Sequence, residues 1–247
     1  MTNPPYRIVL PGVPVSSKRG ALGWCNVVLL RRAGHTILFD TGSFGDRHPL
    51  LSRLGELGVD PGDVDLVFAS HFHYDHVANA EIFRCPVVLS ESEWRHVQEA
   101  GYLAAGDPFV PRALVPFVRD RVVTVKDGEE LIAGLRAVVL PGHTPGTTGL
   151  LLEDDGVLLA GDAVKNAWDF VRGEPPPSFF TRETAQANYR RIRELAGTVV
   201  PGHDRAFEIA PDGGIRYLES ARVDLELYAD PRSDPRVVNL LEDACGI

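Results

Sequence analysis

The chain has 247 residues, of which 44 % are hydrophobic and 24 % are charged, with both signs interspersed. This composition excludes the disordered class, and the length allows a sizeable buried core. The formal net charge of −9 argues against non-specific binding to nucleic acid or to anionic lipid, because both are negatively charged themselves.

Strands and helices alternate through the first half of the chain. Apolar, β-prone runs predict strands, and leucines that recur on one face after Pro49 predict a helix. Ser90 with Glu93 forms a capping-box pattern that begins another helix. In chain order, we predict strands at 26–30 and 36–39, a helix at 49–58, strands at 65–70 and 87–89, and a helix from 90 to about 101.

The second half repeats this alternation. The predicted strands are 121–125, 136–140, 150–153, 157–160 and 198–200. A helix is predicted from Arg182, capped by Thr181 and ended by Gly197. The last 35 residues suggest two helices broken at 231–235, so we expect a single domain over residues 1–247 with a helical extension over about 212–247.

Three histidines lie where predicted strands end. His143 and His203 each end a Pro-Gly-His segment after a strand, and His71 follows the strand at 65–70. Rigid strands aim the loops at their ends towards one place, and α/β scaffolds build functional sites in this way.

The segment His71-Phe72-His73-Tyr74-Asp75-His76 is the strongest functional signal. Imidazole nitrogens and carboxylate oxygens are the usual ligands of zinc and similar divalent ions. Residues two apart on an extended segment point the same way, so His71 and His73 can bind one ion. Asp75 and His76 then need only a turn to face a second ion.

The order of these motifs resembles that of the metallo-β-lactamase superfamily. The H-x-H-x-D-H segment is followed by Gly-His-Thr-Pro-Gly at 142–146, Ala-Gly-Asp at 160–162 and Pro-Gly-His at 201–203, and Asp40-Thr41-Gly42 resembles an upstream element of the family. The match spans roughly residues 24 to 204. It implies an α/β fold, a four-layered αβ/βα sandwich with metals at one sheet edge.

The resemblance also implies a ligand set of seven residues. His71, His73 and His143 would hold the first ion, Asp75, His76 and His203 the second, and Asp162 would bridge both. Asp40 would orient a ligand histidine, although a simple turn residue before Thr-Gly is the alternative.

This ligand set predicts hydrolysis. A water shared between two ions loses its proton near neutral pH and becomes a nucleophile, while the ions polarise the substrate and stabilise the leaving group. Asp75 can also carry the proton. The absence of cysteine makes this ligand set harder than a thiolate one, and zinc is the favoured metal, with iron, manganese and cobalt as alternatives. We therefore expect a hydrolase of a small carbonyl ester, lactone or thioester.

The substrate is less well specified. Lactonases of the family usually carry a tyrosine a few residues beyond the bridging aspartate, whereas this chain has Lys165 there. Lys165 either pairs with a substrate carboxylate or phosphate or lies on the surface, and Tyr74 either lines the pocket or packs elsewhere. His35, His48 and His96 have no partners in sequence and are interpreted as bystanders.

Three other functions stay open. One is a phosphodiesterase of the tRNA-processing type, which the acidic charge disfavours. Another is a mononuclear iron enzyme resembling persulfide dioxygenases, which would use His71, His143 and Asp162. The third is a metal-binding protein without catalytic activity, although such members generally lose ligands.

The cysteines, the N-terminus and the length of the apolar runs indicate the cellular compartment and the kinds of partner. Cys25, Cys85 and Cys245 are odd in number and far apart, which favours a reducing compartment without a structural disulfide. The N-terminus has no signal pattern and no run approaches 18 apolar residues. We expect a cytoplasmic protein with a small-molecule substrate and no membrane partner, and a homodimer is compatible with the sequence.

Overall fold

The strands follow the apolar runs of the sequence. The computed structural model describes residues 4–18, 20–99, 106–176, 181–218, 224–227, 234 and 236–239. Its strands are β1 Tyr6–Leu10, β2 Ser16–Ser17, β3 Gly20–Ala21, β4 Val27–Arg32, β5 His35–Phe39, β6 Leu66–Phe68, β7 Val87–Ser90, β8 Val122–Val125, β9 Glu130–Ile132, β10 Leu135–Val139, β11 Thr148–Leu152, β12 Val157–Gly161, β13 Thr198–Pro201, β14 Phe207–Ile209, β15 Ile215–Tyr217, β16 Asp224–Leu227 and β17 Arg236–Asn239.

The helices lie between these strands. They are α1 Arg47–Glu56, α2 Tyr74–Val77, α3 Glu91–Glu99, α4 Val115–Val118, α5 Ala167–Arg172 and α6 Arg182–Leu195. The predicted cap of α6 is confirmed, since the Thr181 side chain accepts a hydrogen bond from Thr184 N at 3.1 Å. Among the described residues, no helix combines the length and the apolar character that crossing a membrane requires.

Within the described residues most strands form two large sheets, while β2 pairs with β3 and β16 pairs with β17. The first has the order β1-β4-β5-β6-β7-β8, and the second has the order β15-β14-β13-β12-β11-β10-β9. Strands β5 to β8 pair in parallel, as do β12 and β13. The carboxyl ends of the parallel strands within each sheet therefore lie along a common edge.

Alternating side chains on the strands divide the core into three layers. Val28 and Leu30 of β4 lie between the two sheets, whereas Val27 and Leu29 face the helices. The first outer layer packs α1, α3 and α4 on the first sheet, and the second packs α5 and α6 on the second sheet. The predicted four-layered αβ/βα sandwich is thus confirmed, and it follows from the two-residue period of the strands.

The predicted C-terminal helices are wrong for the described residues. The strand β15 pairs with β14 through a turn in which Gly213 has φ +87°, a left-handed value suited to glycine. The segments 224–227 and 236–239 pair as the antiparallel strands β16 and β17. Turn residues and β-branched residues outweighed the helical pattern there. That the whole chain forms one domain stays a prediction.

Phe68 tests the packing between the two sheets. Its side chain is fully buried and its ring stacks on Phe39, with 5.6 Å between the ring centroids. We expect Phe68→Ala to lower the free energy of unfolding by about 3–5 kcal/mol, because it leaves a cavity in a well-packed core. Urea denaturation provides the measurement.

Phe117→Ala is the matched control for that substitution. The Phe117 side chain is 64 % exposed, so its loss is expected to change the free energy of unfolding by less than about 0.5 kcal/mol. Equal effects of the two substitutions would contradict the assignment of Phe68 to the layer between the sheets.

Candidate metal centre

The seven predicted ligands lie in segments that follow strand ends. The segment after β6, which includes α2, carries four of them, and the segments after β10, β12 and β13 carry one each. All seven are brought together. The groups with ligand atoms within 4.8 Å of one another include His71 with His73 and His143, His71 with His76 and Asp162, and Asp75 with His76 and His203.

The two oxygens of Asp162 face two different groups of donors. Oδ2 lies 3.4 Å from His143 Nε2, which in turn lies 3.0 Å from His73 Nδ1. Oδ1 lies 3.2 Å from His203 Nε2 and 3.4 Å from His76 Nε2. The carboxylate therefore has the geometry of a bridge between two sites.

The donor atoms fit divalent ions. Two ligands held tetrahedrally at about 2.0–2.1 Å from zinc lie about 3.4 Å apart, which matches the separations around Asp162. His71 Nε2, His76 Nε2, His203 Nε2 and Asp162 Oδ1 are buried and have no hydrogen-bond partner within the described part of the chain. Buried polar atoms are normally satisfied, so their lone pairs are consistent with metal ligation.

A hydrogen bond at the other ring nitrogen orients each of four ligand histidines. Such bonds fix the tautomer and leave the second nitrogen free to bind metal. The pairs are His71 Nδ1 with Ser70 Oγ at 3.0 Å, His73 Nε2 with Asp107 Oδ2 at 2.6 Å, His76 Nδ1 with Asp40 Oδ2 at 2.7 Å, and His203 Nδ1 with Trp24 O at 2.9 Å.

Asp40 lies where the resemblance predicted a residue that orients a histidine. Besides His76, it accepts hydrogen bonds from the Ser70 backbone N and hydroxyl at 2.7 and 2.8 Å. Its backbone has φ +57°, a left-handed conformation that aspartate tolerates better than most residues. These contacts are more than a turn residue requires, and they support the orienting role.

Burial keeps two ligand imidazoles neutral. It lowers the pKa of His143 to about 3 and the pKa of His71 well below its usual value. A neutral imidazole offers the lone pair that a metal needs. Near neutral pH these two side chains are therefore ready to bind a cation without first losing a proton.

The second group of donors favours positive charge. Burial alone would lower the pKa of His76, but the carboxylates of Asp40, Asp162 and Asp75 raise it well above its usual value. Burial would also raise the pKa of Asp162, yet Lys165 and His203 hold it well below its usual range. A cation at this position is thus stabilised by its surroundings, as a divalent ion would be.

Cys25 lies behind the second group of donors. Its Sγ, an oxygen of Asp40 and a ring nitrogen of His76 are within 4.8 Å of one another. Burial raises the pKa of the thiol to about 12, so the side chain is neutral near neutral pH. It packs among the apolar residues of the first outer layer.

Glu93 ties together two of the ligand-bearing loops, a role that sequence reasoning missed. The Ser90 hydroxyl does accept from Glu93 N, as the capping box predicted. The buried Glu93 carboxylate, however, accepts from Phe72 N at 2.8 Å, Thr144 Oγ1 at 2.6 Å and Gly146 N at 3.1 Å. It therefore joins the His71–His73 loop to the loop of His143.

Gly146 explains part of the Gly-His-Thr-Pro-Gly motif. A Cβ atom there would lie 2.0 Å from Glu93 N and 2.4 Å from Glu93 Cα, so any larger residue would push the loop away from α3. The loop carrying His143 can lie against the helix only because residue 146 has no side chain.

Asn26 fixes the loop of His203 to the first sheet. Its Nδ2 donates to Pro201 O at 2.7 Å and to Asp204 O at 2.6 Å, and its Oδ1 accepts from Gly12 N at 2.7 Å. Its backbone N also donates to Gly202 O. Because β13 belongs to the second sheet, these bonds join both sheets beside the candidate centre.

Asp107 and His96 were not among the predicted site residues. Asp107 accepts from His73 Nε2 and from His96 Nε2, the latter at 3.2 Å. His96 was interpreted as a bystander, and no role was assigned to the segment 102–120, of which 102–105 lies outside the described residues. The contacts depend on packing between distant segments, so no local sequence signal could have revealed them.

Lys165 and Tyr74 both lie beside the donors. Lys165 Nζ is 3.1 Å from Asp162 Oδ2, and 22 % of its side chain is exposed. The half-buried Tyr74 begins α2 directly before Asp75, and its ring stacks on Phe109 with centroids 6.2 Å apart. Burial and Asp75 raise the pKa of Tyr74, against the opposing effect of Lys165.

Comparison with known proteins gives a consistent match. Residues 22–203 match the family model of the metallo-beta-lactamase superfamily. Metallo-beta-lactamase domain-containing protein 1 of Xenopus laevis is 31 % identical over 189 residues, covering 75 % of this chain and 73 % of that protein.

Lactonases are among the similar proteins. An N-acyl homoserine lactonase from a Bacillus species is 26 % identical over 164 residues, which cover 63 % of this chain and 62 % of that protein. The structure of AidC, a dizinc quorum-quenching lactonase in complex with a product, has a TM-score of 0.64 with 16 % identity, covering 80 % of this chain and 79 % of that one. The second likeness concerns the fold alone.

Glu93→Gln tests the tie between the two loops. The amide keeps the size of the side chain but presents an NH2 group to donors, so at least one buried donor loses its acceptor. We expect the free energy of unfolding to fall by about 1–3 kcal/mol, together with weaker metal binding. Urea denaturation and metal titration provide the measurements.

Glu91→Gln, on the same helix, is the control. The Glu91 side chain is 51 % exposed, and its loss of charge is expected to change the free energy of unfolding by less than about 0.5 kcal/mol. A Glu93→Gln protein as stable as this control would show that the buried carboxylate does not hold the loops together.

Proposed function

The chain belongs to the metallo-β-lactamase superfamily, and we propose that it is a dinuclear metal hydrolase of a small carbonyl ester, lactone or thioester. The observation that carries the proposal is the convergence of two donor groups on the two oxygens of Asp162. The similarity to an N-acyl homoserine lactonase supports an ester or lactone as the substrate class.

We propose zinc as the resident metal. His71, His73 and His143 would hold one ion, Asp75, His76 and His203 would hold the other, and Asp162 would bridge them. Imidazole with carboxylate suits zinc, and iron, manganese and cobalt bind similar donors. The dizinc lactonase of similar fold agrees with this choice.

Two bound divalent ions would supply an acidic water and polarise the carbonyl oxygen of the substrate. The residues of the chain then manage the proton. Burial alone would raise the pKa of Asp75, but His76 and His203 hold it below its usual value, so the side chain is a carboxylate near neutral pH. It can therefore accept a proton and donate it to the leaving oxygen or sulfur.

Lys165 would bind the acyl end of the substrate. Hydrolysis of an ester, lactone or thioester always produces a carboxylate. Asp162 and Asp75 raise the pKa of Lys165 against the effect of burial, so a cation is maintained beside the centre. This ammonium group can pair with the new carboxylate or with one already on the substrate. Tyr74 would form part of the wall next to it.

The donor set disfavours the two alternatives that need fewer ligands. A mononuclear iron enzyme would use His71, His143 and Asp162 and leave the second group without purpose. His76 Nε2 and His203 Nε2 are buried and have no hydrogen-bond partner among the described residues. Without a second ion this arrangement would be costly, because burying an unsatisfied polar atom destabilises the fold. A metal-binding protein without catalytic activity is disfavoured because such members generally lose ligands, whereas all seven candidate ligands are present here.

Metal analysis of protein purified without chelator tests the proposal. We expect two equivalents of zinc or a similar divalent ion per chain, and hydrolysis of a thioester, lactone or ester within a panel that includes bis-p-nitrophenyl phosphate. We expect Asp162→Ala to abolish hydrolysis and lower the metal content, since it removes an oxygen from each site.

The outcomes separate the candidate functions. One equivalent of iron would favour the oxygenase, activity on the phosphodiester alone would favour nucleic-acid cleavage, and the absence of metal would refute a metal hydrolase. Full activity of Asp162→Ala would refute the bridging role.

Lys165→Met tests the proposed contact with the substrate. Methionine keeps the length of the side chain without the charge, so we expect kcat/KM to fall about 10–100-fold, the worth of one hydrogen bond to a charged group. The metal content should stay at the wild-type level, since the ammonium group is not a ligand. Lys126→Met is the matched control because its side chain is 72 % exposed. Unchanged kinetics of Lys165→Met would assign Lys165 to the surface.

A further inference from the structure

His73 differs from the other ligand histidines in what orients it. The acceptors for His71, His76 and His203 are Ser70, Asp40 and Trp24, which lie next to strands of the first sheet. The acceptor for His73 is Asp107, 34 residues away along the chain. Residues 106–110, the DPF segment, contain neither helix nor strand, so the first donor group depends on an irregular segment.

Side-chain and backbone contacts hold Asp107 in place. Its side chain is 1 % exposed, and Oδ2 receives both His73 Nε2 at 2.6 Å and His96 Nε2 at 3.2 Å. Oδ1 accepts from Phe109 N at 3.0 Å. Both oxygens are therefore used, and a carboxylate with buried partners on both oxygens has one well-defined orientation.

The same segment contacts the ligand loop at a second point. Phe109 O accepts from Tyr74 N at 2.9 Å. The Phe109 ring lies 5.6 Å from the His73 ring between centroids and stacks on Tyr74, yet 42 % of the residue is exposed. Phe109 thus presents an apolar surface to solvent directly beside two residues of the candidate centre.

We propose that Asp107 is a positioning residue that holds the His73 ring in the orientation needed to bind the first metal ion. Through its bond to Phe109 N it also holds the Phe109 ring in place as an apolar wall for the substrate. The inference rests on the proposed function. A carboxylate only accepts hydrogen bonds, so the proton of the His73 ring is held on Nε2 and the lone pair stays on Nδ1. That nitrogen is the one that faces His143.

Because Asp107 has both His73 and His96 as partners, we expect substitutions of Asp107 and of His96 to weaken metal binding to different extents. Without the carboxylate, the His73 ring is free to take either tautomer and to rotate, and loss of such a partner typically costs about 10–100-fold in metal affinity. Without the His96 imidazole the carboxylate keeps its bonds to His73 and Phe109 N but loses one of the partners that fix its orientation. Asp107→Ala should therefore have the larger effect and His96→Gln a smaller effect in the same direction.

Competition with a chromophoric chelator measures the two zinc affinities of each variant. We expect Asp107→Ala to weaken one ion about 10–100-fold and to leave the other nearly unchanged, and His96→Gln to weaken the same ion less. The cobalt-substituted protein should show an altered visible spectrum in both variants, because the coordination of one ion changes. Phe109→Ala should raise KM for substrates with apolar acyl groups without altering either zinc affinity.

Asp120→Ala and His48→Gln are the matched controls. The Asp120 side chain is 88 % exposed and His48 is exposed, so both should keep the wild-type zinc affinities and cobalt spectrum. Far-ultraviolet circular dichroism checks that each variant is folded. Since His96 is a partly exposed side chain on α3, His96→Gln provides a test even where Asp107→Ala fails to fold.

The outcomes distinguish this inference from the proposed function. Wild-type protein that binds two ions, with Asp107→Ala and His96→Gln equal to their controls, would overturn the role of Asp107 and leave the hydrolase proposal intact. Equal weakening of both ions would also overturn it, since general destabilisation acts on both sites. Wild-type protein that binds no metal would overturn both proposals.

Discussion

The burial of several carboxylates in one cluster of imidazoles is the constraint on which the rest of the structure depends. A buried carboxylate is stable only with donors or cations around it. Asp40 is satisfied by Ser70 and His76, whereas Asp162 keeps an oxygen without a hydrogen-bond partner within the described residues. The chain therefore holds acidic groups that its own donors and Lys165 compensate only in part, and a bound cation would complete that compensation. The close contacts at Glu93, Gly146 and Asn26 keep the loops from relaxing away from that arrangement.

Much of the fold was predictable because it depends on local pattern. The alternation of Val27, Val28, Leu29 and Leu30 specifies a strand with a helix on one face and a second sheet on the other. Patterning failed at the C-terminal end, where β15 to β17 were predicted to be helical. Those strands are short, and they pair with their neighbours in the chain, β15 with β14 and β16 with β17, which a helical period does not report.

The residues of the candidate site also fall into those that local sequence predicts and those that it does not. His71, His73, Asp75 and His76 lie within one six-residue segment, so their spacing alone indicated metal binding. Glu93, Asp107 and His96 bear no motif, and their roles arise from contacts between segments 11 to 53 residues apart. Sequence thus revealed the groups that bind metal more readily than the groups that hold those ligands in place.

The origin of the donors has a consequence for folding and turnover in the cell. His71, His73, Asp75 and His76 follow a strand of the first sheet, whereas His143, Asp162 and His203 follow strands of the second. Each donor group therefore forms only after the two sheets have docked along this edge. Ions bound there would link the two sheets. The binding energy of the metal then adds to the stability of the docked state. Without metal, the chain would open first at the edge where the two sheets meet. The supply of metal would then influence how quickly proteases degrade the protein.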